Sequence, residues 1–433
     1  MRMGNAMRPS LPLDALRVDD PGRTGSRNAT ARGRHVGVTQ RLTAPPLDVL
    51  RRRTSAKWRT YPDDVLPLFI AEMDYQLAPI VVDALTAQVA ASDLGYAAEP
   101  EVLGRSFADF AQRHWGWTVA PDDVRPTTDV SVVLVEALRV LIEPGDGVII
   151  TPPIYPPFFD IVPEAGGTVV QVPLRVLDDE ALGGRRASAA DVWRLDLDGI
   201  AAAFAAGARA ILLCHPHNPV GLVHPRADLE ALADLAAEHG AVVLSDEIHA
   251  PLVHRGVEFV PFLSVSETAR EVGVAAHSAS KAFNLAGAKC ALTVVGSNQM
   301  RAAVDRQPEE VTYRTSILGR TAAEAAYAEG DEWLAATVDV VEESFDLLER
   351  LLAQRLPTVG YARPAASYLA WLDFRRTGLG DDPAGPILAD GRVALHRGPA
   401  FGAEGNGFAR LNAACSPEVL TEAVDRIARV VEG

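Results

Sequence analysis

The feature that most constrains the fold of this 433-residue chain is an alternation of short apolar runs with helical patterns between about residues 95 and 330. The segment 228–240 repeats Leu and Ala at three- and four-residue spacing and ends at a glycine, which is typical of an amphipathic helix. Strands that alternate with helices pair in parallel inside an α/β domain. The pattern therefore predicts a large α/β domain around a mainly parallel sheet. The clearest strand candidates are 147–152, 168–174, 209–216, 241–247 and 273–280.

The last hundred residues follow a different pattern. A long helical pattern begins near residue 332, short strands are expected near 367–373 and 392–395, and a final helix is expected over 416–431. Fewer strands and longer helices indicate a smaller α+β domain. We expect a basic extension over 1–40. The small domain should comprise 41–90 and 331–433, and the large domain should comprise 91–330.

Charge is distributed unevenly along the chain. Residues 1–60 carry 13 basic and 4 acidic side chains, whereas the remainder carries 28 basic and 53 acidic ones. An acidic body repels a phosphate backbone, which argues against nucleic acid as the main partner. Residues 1–40 are rich in Arg, Gly, Pro, Ser and Thr without a sustained period, and this composition is typical of disorder.

Two further observations limit where the protein can act. No apolar run approaches the roughly 20 residues that a membrane-spanning helix needs, which excludes an integral membrane protein of that type. The three cysteines are odd in number and far apart, so they predict neither a disulfide framework nor a metal site. A reducing compartment, the cytoplasm, is the expected location.

Polar residues follow three of the predicted strands. They are Asn218, Asp246 with His249, and Ser278 with Lys281. Because ligands of open α/β sheets bind outside the carboxyl ends of the strands, we expect these side chains to meet in one crevice. Singly, Asn218 could belong to an ordinary turn and Asp246 could cap a helix. Lys281 is harder to explain structurally, because burying an unpaired ammonium is costly. Acidic and histidine residues near Asp246 have no metal-ligand spacing, so no metal is expected.

Several motifs around these residues resemble fold-type I pyridoxal 5′-phosphate (PLP) enzymes of the aminotransferase class I/II family. The resemblance extends from about residue 42 to the C-terminus, and within the family it is greatest to the MalY/PatB-like cystathionine β-lyase, or C–S lyase, branch. The family motifs are HPHNPVG (215–221), SDEIH (245–249), SASKAFNLAGAKC (278–290) and RLNAACS (410–416). The stretches that resemble the branch are SAKWRTYPDDVLPLFIAEMDYQLAPIV (55–81), EPGDGVIITPPIYPPFF (143–159) and YLAWLDF (368–374).

The resemblance implies roles for the residues around the PLP ring. Lys281 would bind the cofactor covalently and later move protons, because PLP chemistry requires a lysine amine for both tasks. Asp246 would keep the pyridine nitrogen protonated, Asn218 and His249 would hydrogen-bond the ring oxygen, and Tyr155 would stack on the ring.

The resemblance also implies a phosphate site. The backbone amides of Val130 and Ser131 would bind the phosphate at a helix N-terminus, where amides and the helix dipole attract anions. Ser278 and Lys289 match further phosphate-binding positions. Asp129 departs from the family pattern, which has glycine there; its carboxylate would repel phosphate unless it turns away to cap the helix.

Two more residues concern the substrate and the assembly. Arg410 matches the arginine that binds the substrate α-carboxylate in a bidentate pair. Tyr96 matches a tyrosine that reaches the phosphate of the other subunit's cofactor, which implies a homodimer.

The resemblance leaves three functions open. The first is β-elimination from a sulfur amino acid such as cystathionine, with Lys281 as general base, giving a thiol, pyruvate and ammonia. The second is aminotransfer by the same residues. The third is a non-catalytic PLP-binding regulatory protein, which could dispense with Lys281 or Arg410. The branch resemblance favours the lyase.

Overall fold

The computed structural model describes residues 42–97, 101–177 and 187–433, so the predicted extension over 1–40 lies outside the described residues. Its strands are β1 (Leu66–Pro67), β2 (Val124–Thr127), β3 (Gly147–Ile150), β4 (Thr168–Gln171), β5 (Arg175–Val176), β6 (Trp193–Arg194), β7 (Ala208–Cys214), β8 (Val242–Asp246), β9 (Gly273–His277), β10 (Ala291–Val295), β11 (Gly360–Tyr361), β12 (Leu369–Asp373), β13 (Val393–Ala394), β14 (His396–Arg397) and β15 (Phe408–Asn412). Its α-helices are α1 (Leu47–Leu50), α2 (Ala56–Arg59), α3 (Pro79–Ala90), α4 (Glu101–Trp115), α5 (Val130–Leu141), α6 (Phe158–Glu164), α7 (Ala189–Val192), α8 (Leu197–Ala205), α9 (Arg226–Glu238), α10 (Glu267–Val272), α11 (Ala279–Ala282), α12 (Asn298–Val304), α13 (Glu310–Tyr313), α14 (Ile317–Glu329), α15 (Asp331–Arg355), α16 (Ala384–Gly391) and α17 (Pro417–Glu432).

A seven-stranded sheet forms the centre of the molecule, in the order β2-β10-β9-β8-β7-β3-β4. Its strands run parallel except β10, which is antiparallel to both neighbours. The predicted α/β class with a mainly parallel central sheet is confirmed. Strands β2 and β10 are not among the strands predicted from the sequence.

Both faces of this sheet are buried, which explains why its strands are apolar without polar alternation. In β7, Ile211 and Leu213 pack into one hydrophobic core, whereas Ala210 and Leu212 pack into a second core on the opposite face. Helices cover each side, for example α9 on the first face and α5 on the second.

The C-terminal part forms an antiparallel four-stranded sheet in the order β11-β12-β15-β14, which brings Arg410 on β15 beside His396 on β14. Helix α17 packs against α15 and α16. Helix α3 packs against α14 of the central part. The proposed boundaries of a small and a large domain remain a prediction.

Several strands end earlier than the apolar runs suggested. β3 ends at Ile150 rather than at 152, β4 at Gln171 rather than at 174, and β7 at Cys214 rather than at 216. Each run contains a proline near its end, and a proline has no N–H to continue the ladder. The shortening places polar residues in the loops just beyond the strands.

Candidate active site

The carboxyl ends of the parallel strands open on one cavity, which is lined by residues at or just beyond the ends of β7, β8 and β9 and by the start of α5. The alignment of β7 with β8 and of β8 with β9 places their ends side by side. The site residues predicted from sequence that line this cavity are Val130, Ser131, Tyr155, Asn218, Asp246, His249, Ser278 and Lys281.

Lys281 and Asp246 both line the cavity, and the charge of each shifts the pKa of the other. Burial, reinforced by the charge of Arg410, lowers the pKa of Lys281 to about 8. Burial raises the pKa of Asp246 to about 7, although its bond from the Ile248 N–H and the Lys281 charge oppose this. The Lys281 Nζ donates to the Ala71 carbonyl oxygen at 3.0 Å. A lysine with this pKa has an appreciable neutral fraction near neutral pH, which a nucleophile or proton acceptor needs.

Arg410 is buried, with 3% of its surface exposed, and none of its three polar partners is a carboxylate. Its guanidinium donates to Asn218 Oδ1 at 2.8 Å, to the Phe69 carbonyl oxygen at 3.2 Å and to His396 Nδ1 at 3.0 Å. Its Nε atom is buried without a partner, and burial lowers its pKa to about 10. A buried guanidinium without a counter-ion is a suitable site for an anion such as a carboxylate.

The position of Asn218 depends on a tight turn. Gly221 adopts a φ of +70°, and a Cβ there would lie 2.2 Å from Pro364 Cβ, so glycine is needed at this position. Because Asn218 Oδ1 already accepts from Arg410, its Nδ2 group remains as the donor for a ligand oxygen.

His249 and Tyr155 flank the same space. Burial lowers the pKa of His249 to about 3, so its ring is neutral, and its Nδ1 atom is buried without a partner. Burial raises the pKa of the Tyr155 hydroxyl, and the charge of Asp246 adds to this. Tyr96, in contrast, is 95% exposed and does not line the cavity of its own chain.

The opposite end of the cavity lies at the start of α5. Asp129 precedes this helix but makes no capping bond with its side chain. The first amides of the helix, which include those of Val130 and Ser131, have no intrahelical partner. The Asp129 carboxylate accepts from Lys289 Nζ at 2.9 Å, so it does not turn away to cap the helix.

The other predicted phosphate ligand, Ser278, is engaged within the protein. Its hydroxyl donates to the Cys290 carbonyl oxygen at 2.6 Å and accepts from the Ser280 N–H. A hydroxyl has one proton. Ser278 therefore has none to donate to a phosphate in this arrangement. Ser131 and Ser280 also line the cavity.

Sequence reasoning missed the backbone of residues 69–73, which crosses the site. Their carbonyl oxygens accept from Arg410, as above, and from Lys281. Asn412 holds this segment through the Ile70 and Glu72 carbonyl oxygens, and Asn284 pairs with the Met73 backbone at 2.9 Å in both directions. Both asparagines lie in the family motifs quoted above, and this was the sequence signal that could have identified them. No motif in the sequence pointed to His396.

These features fit PLP. The Asp246 carboxylate faces the cavity without a cation bound to it, which suits a pyridinium nitrogen. The orphaned His249 Nδ1 and the Asn218 amide suit a ring oxygen, and the uncapped start of α5 suits a phosphate. Lys281 would hold the cofactor covalently.

Comparisons with known proteins agree with this reading. The family model "Aminotransferase class I and II" matches residues 80–427. A candidate cystathionine β-lyase of Mycobacterium leprae is 39% identical over 90% of this chain and 99% of that protein. The cystathionine β-lyase of Corynebacterium glutamicum is 35% identical, over 89% of this chain and 99% of that one. A crystal structure from Corynebacterium diphtheriae, described as a candidate PLP-dependent β-cystathionase, superimposes with a TM-score of 0.83 at 35% identity, covering 90% and 99% of the two chains.

Proposed function

Because this chain belongs to the aminotransferase class I and II family, we propose that it is a PLP-dependent carbon–sulfur β-lyase of the cystathionine β-lyase type. It converts a sulfur amino acid and water into a thiol, pyruvate and ammonia. The observation that carries the proposal is the convergence on one cavity of a lysine with a lowered pKa and an ionisable buried carboxylate, with the Arg410 guanidinium bound to Asn218 of the cavity wall and paired with no carboxylate among the described residues. The named relatives favour the lyase over other reactions of the family.

The residues divide the work of the reaction between them. When bound, PLP supplies an electron sink for negative charge at the substrate Cα atom. Asp246 would hold a proton on the cofactor's ring nitrogen, which would maintain that sink. Val130, Ser131 and Lys289 would hold the phosphate group, and Tyr155 would pack against the ring.

Arg410 orients the substrate by binding its α-carboxylate. Asn218 and His396 hold the guanidinium in place from two sides. A fixed carboxylate places the Cα–H bond where Lys281 can reach it. The neutral amine of Lys281 would take that proton, and the electron pair would form a Cα–Cβ double bond as the Cβ–S bond breaks and the thiolate leaves. Water would then hydrolyse the released aminoacrylate to pyruvate and ammonia.

An aminotransferase would use the same residues, so the decisive test concerns the products. The holoenzyme is incubated with cystathionine and no keto-acid acceptor, and pyruvate, ammonia and free thiol are measured. A lyase releases the three in equal amounts over many turnovers. An aminotransferase stops after one turnover without an acceptor. Lys281→Ala serves as the control for spontaneous elimination.

The assembly is also part of the proposal: we infer a homodimer in which Tyr96 acts at the partner's site. Leu94 and Val102, which are near Tyr96 in sequence, are also exposed apolar side chains, which suits a subunit interface. Mixing two inactive variants, Lys281→Ala and Tyr96→Ala, tests this. If Tyr96 acts across the interface, hybrid dimers contain one intact site and regain activity. If it acts within its own chain, the mixture stays inactive.

We propose a cytoplasmic location. No helix in the described part of the chain is both long and apolar enough to cross a bilayer. Cys214, Cys290 and Cys415 are buried and free, which suits a reducing compartment. Cell fractionation with a periplasmic marker measures the location directly.

A further inference from the structure

The three lysines of this chain all occupy positions with defined contacts. Lys57 pairs with Asp74 in the interior, Lys281 lies in the cavity, and Lys289 pairs with Asp129 at the start of α5. The first is an internal ion pair and the second belongs to the site already described. The third pair places a negative charge where an anion is expected to bind.

The Lys289–Asp129 pair lies beside the site and is partly exposed, with 53% and 38% of the two side chains accessible. Asp129 lines the cavity together with Val130 and Ser131, and its carboxylate lies 2.9 Å from Lys289 Nζ. Lys289 has a left-handed backbone, with φ +62°, which favours glycine. A lysine at such a position, in a chain with 38 arginines and three lysines, indicates that the ammonium itself is needed there.

The pair changes the charge that a phosphate meets. Uncapped amides at the start of α5 attract an anion, and Lys289 alone would add a full positive charge. The Asp129 carboxylate cancels that charge while it is paired. It also stays beside the phosphate as a like charge if Lys289 turns toward the ligand.

We propose that Asp129 is a binding-determining residue that weakens the hold on the PLP phosphate by competing for Lys289, so that the holoenzyme releases its cofactor more readily than the rest of the site would allow. This inference rests on the proposed function, which assigns the phosphate to this end of the cavity. If Asp129 instead aimed Lys289 at the phosphate, its removal would weaken binding, so the two roles predict opposite signs for the same substitution.

The experiment compares Asp129→Asn, Lys289→Met and the double variant, each purified as holoenzyme. Asparagine has the shape of aspartate and is an equally good residue before a helix, so only the charge changes. Cofactor loss after dilution is followed by absorbance, and binding of inorganic phosphate to the cofactor-free protein is followed by thermal shift. Asp64→Asn is the matched control, because Asp64 also forms a partly exposed ion pair, with Arg392, outside this cavity.

We expect Asp129→Asn to slow cofactor loss and tighten phosphate binding, each roughly three- to tenfold, since exposed charges interact weakly but the phosphate carries about two of them. Lys289→Met should speed cofactor loss roughly ten- to hundredfold, because it removes a cation and leaves Asp129 unopposed. The double variant should return to within about threefold of the wild type. Asp64→Asn should change neither measurement.

Two results would contradict these expectations: one refutes only the role of Asp129, and the other also refutes the phosphate site. If Asp129→Asn loses cofactor faster than wild type, or at the same rate, while Lys289→Met is weakened, Asp129 does not oppose binding and only this inference fails. If Lys289→Met loses cofactor no faster than wild type, the assignment of the phosphate to this end of the cavity fails as well.

Discussion

Asp246 gives the sharpest prediction that the geometry of the site allows. Its side chain is buried at the end of β8, and burial raises its pKa from 3.8 to about 7 in the cofactor-free cavity. Such a shift has a consequence for stability, because a group that holds its proton more tightly in the folded state makes the free energy of unfolding depend on pH.

The direction of this dependence follows from proton binding. Between about pH 4 and pH 7 the unfolded chain has released the Asp246 proton while the folded chain retains it. The folded state therefore binds more protons, and its stability falls as pH rises through that window. A shift of about three pKa units corresponds to at most about 4 kcal/mol, and roughly 2.5 kcal/mol of it falls between pH 5 and pH 7.5.

Asp246→Asn removes the titrating group and retains an oxygen that can accept from the Ile248 N–H. In the cofactor-free state we expect this variant to gain stability over the wild type as pH rises from 5 to 7.5, by about 2–3 kcal/mol. Urea unfolding of both proteins at several pH values measures the difference. The holoenzyme should lose activity in the same variant, because asparagine cannot hold the proton on the ring nitrogen.

Asp64→Asn is a control of opposite sign. The Arg392 partner lowers the pKa of this exposed carboxyl, so its removal should bring no gain in stability at higher pH. If wild type and Asp246→Asn show parallel stability profiles from pH 5 to 7.5, the buried carboxylate does not titrate as described. The interpretation of Asp246 as a buried acid that can pair with a cofactor cation would then be wrong.

Three further predictions concern the cofactor, the substrate and the chain's N-terminal region. Borohydride reduction followed by peptide mapping should place the pyridoxyl group on Lys281, and Lys281→Ala should lose about 10³-fold or more in turnover, since losing a general base usually costs 10²–10⁴-fold; label on Lys289 would contradict the assignment. Arg410→Ala should weaken amino-acid substrates roughly ten- to two-hundred-fold, with partial recovery in Arg410→Lys and a smaller effect on an amine that lacks a carboxylate. Equal losses for amine and amino acid would mean that Arg410 supports the fold. A chain that begins at Thr39 should retain stability and turnover, because the composition of the preceding residues cannot bury enough apolar surface to offset chain entropy; a large drop in either, measured by thermal unfolding and pyruvate release, would contradict this.

The strand candidates and the polar residues beyond them could be predicted from the sequence for a local physical reason. A parallel strand covered on both faces must be apolar throughout, so Asp246 at the end of AVVLSDE and Lys281 just after GVAAHSAS stand out. The topology of α/β sheets then brings such strand ends to one edge without further information. The class of fold, and the candidate residues at or just beyond the ends of β7, β8 and β9, required no coordinates.

Contacts between distant segments required the tertiary structure. Arg410 lies 192 residues from Asn218 in sequence, and His396 reaches Arg410 only because β14 pairs with β15. The carbonyl oxygens of Phe69 and Ala71 accept from the buried Arg410 and from the half-buried Lys281 because Asn284 and Asn412 hold that segment in place. The charge of Asp129 could be read from the sequence, but its pairing with Lys289 could not. Backbone carbonyls carry no sequence signal, and the partner of a charge is set by long-range packing rather than by local pattern.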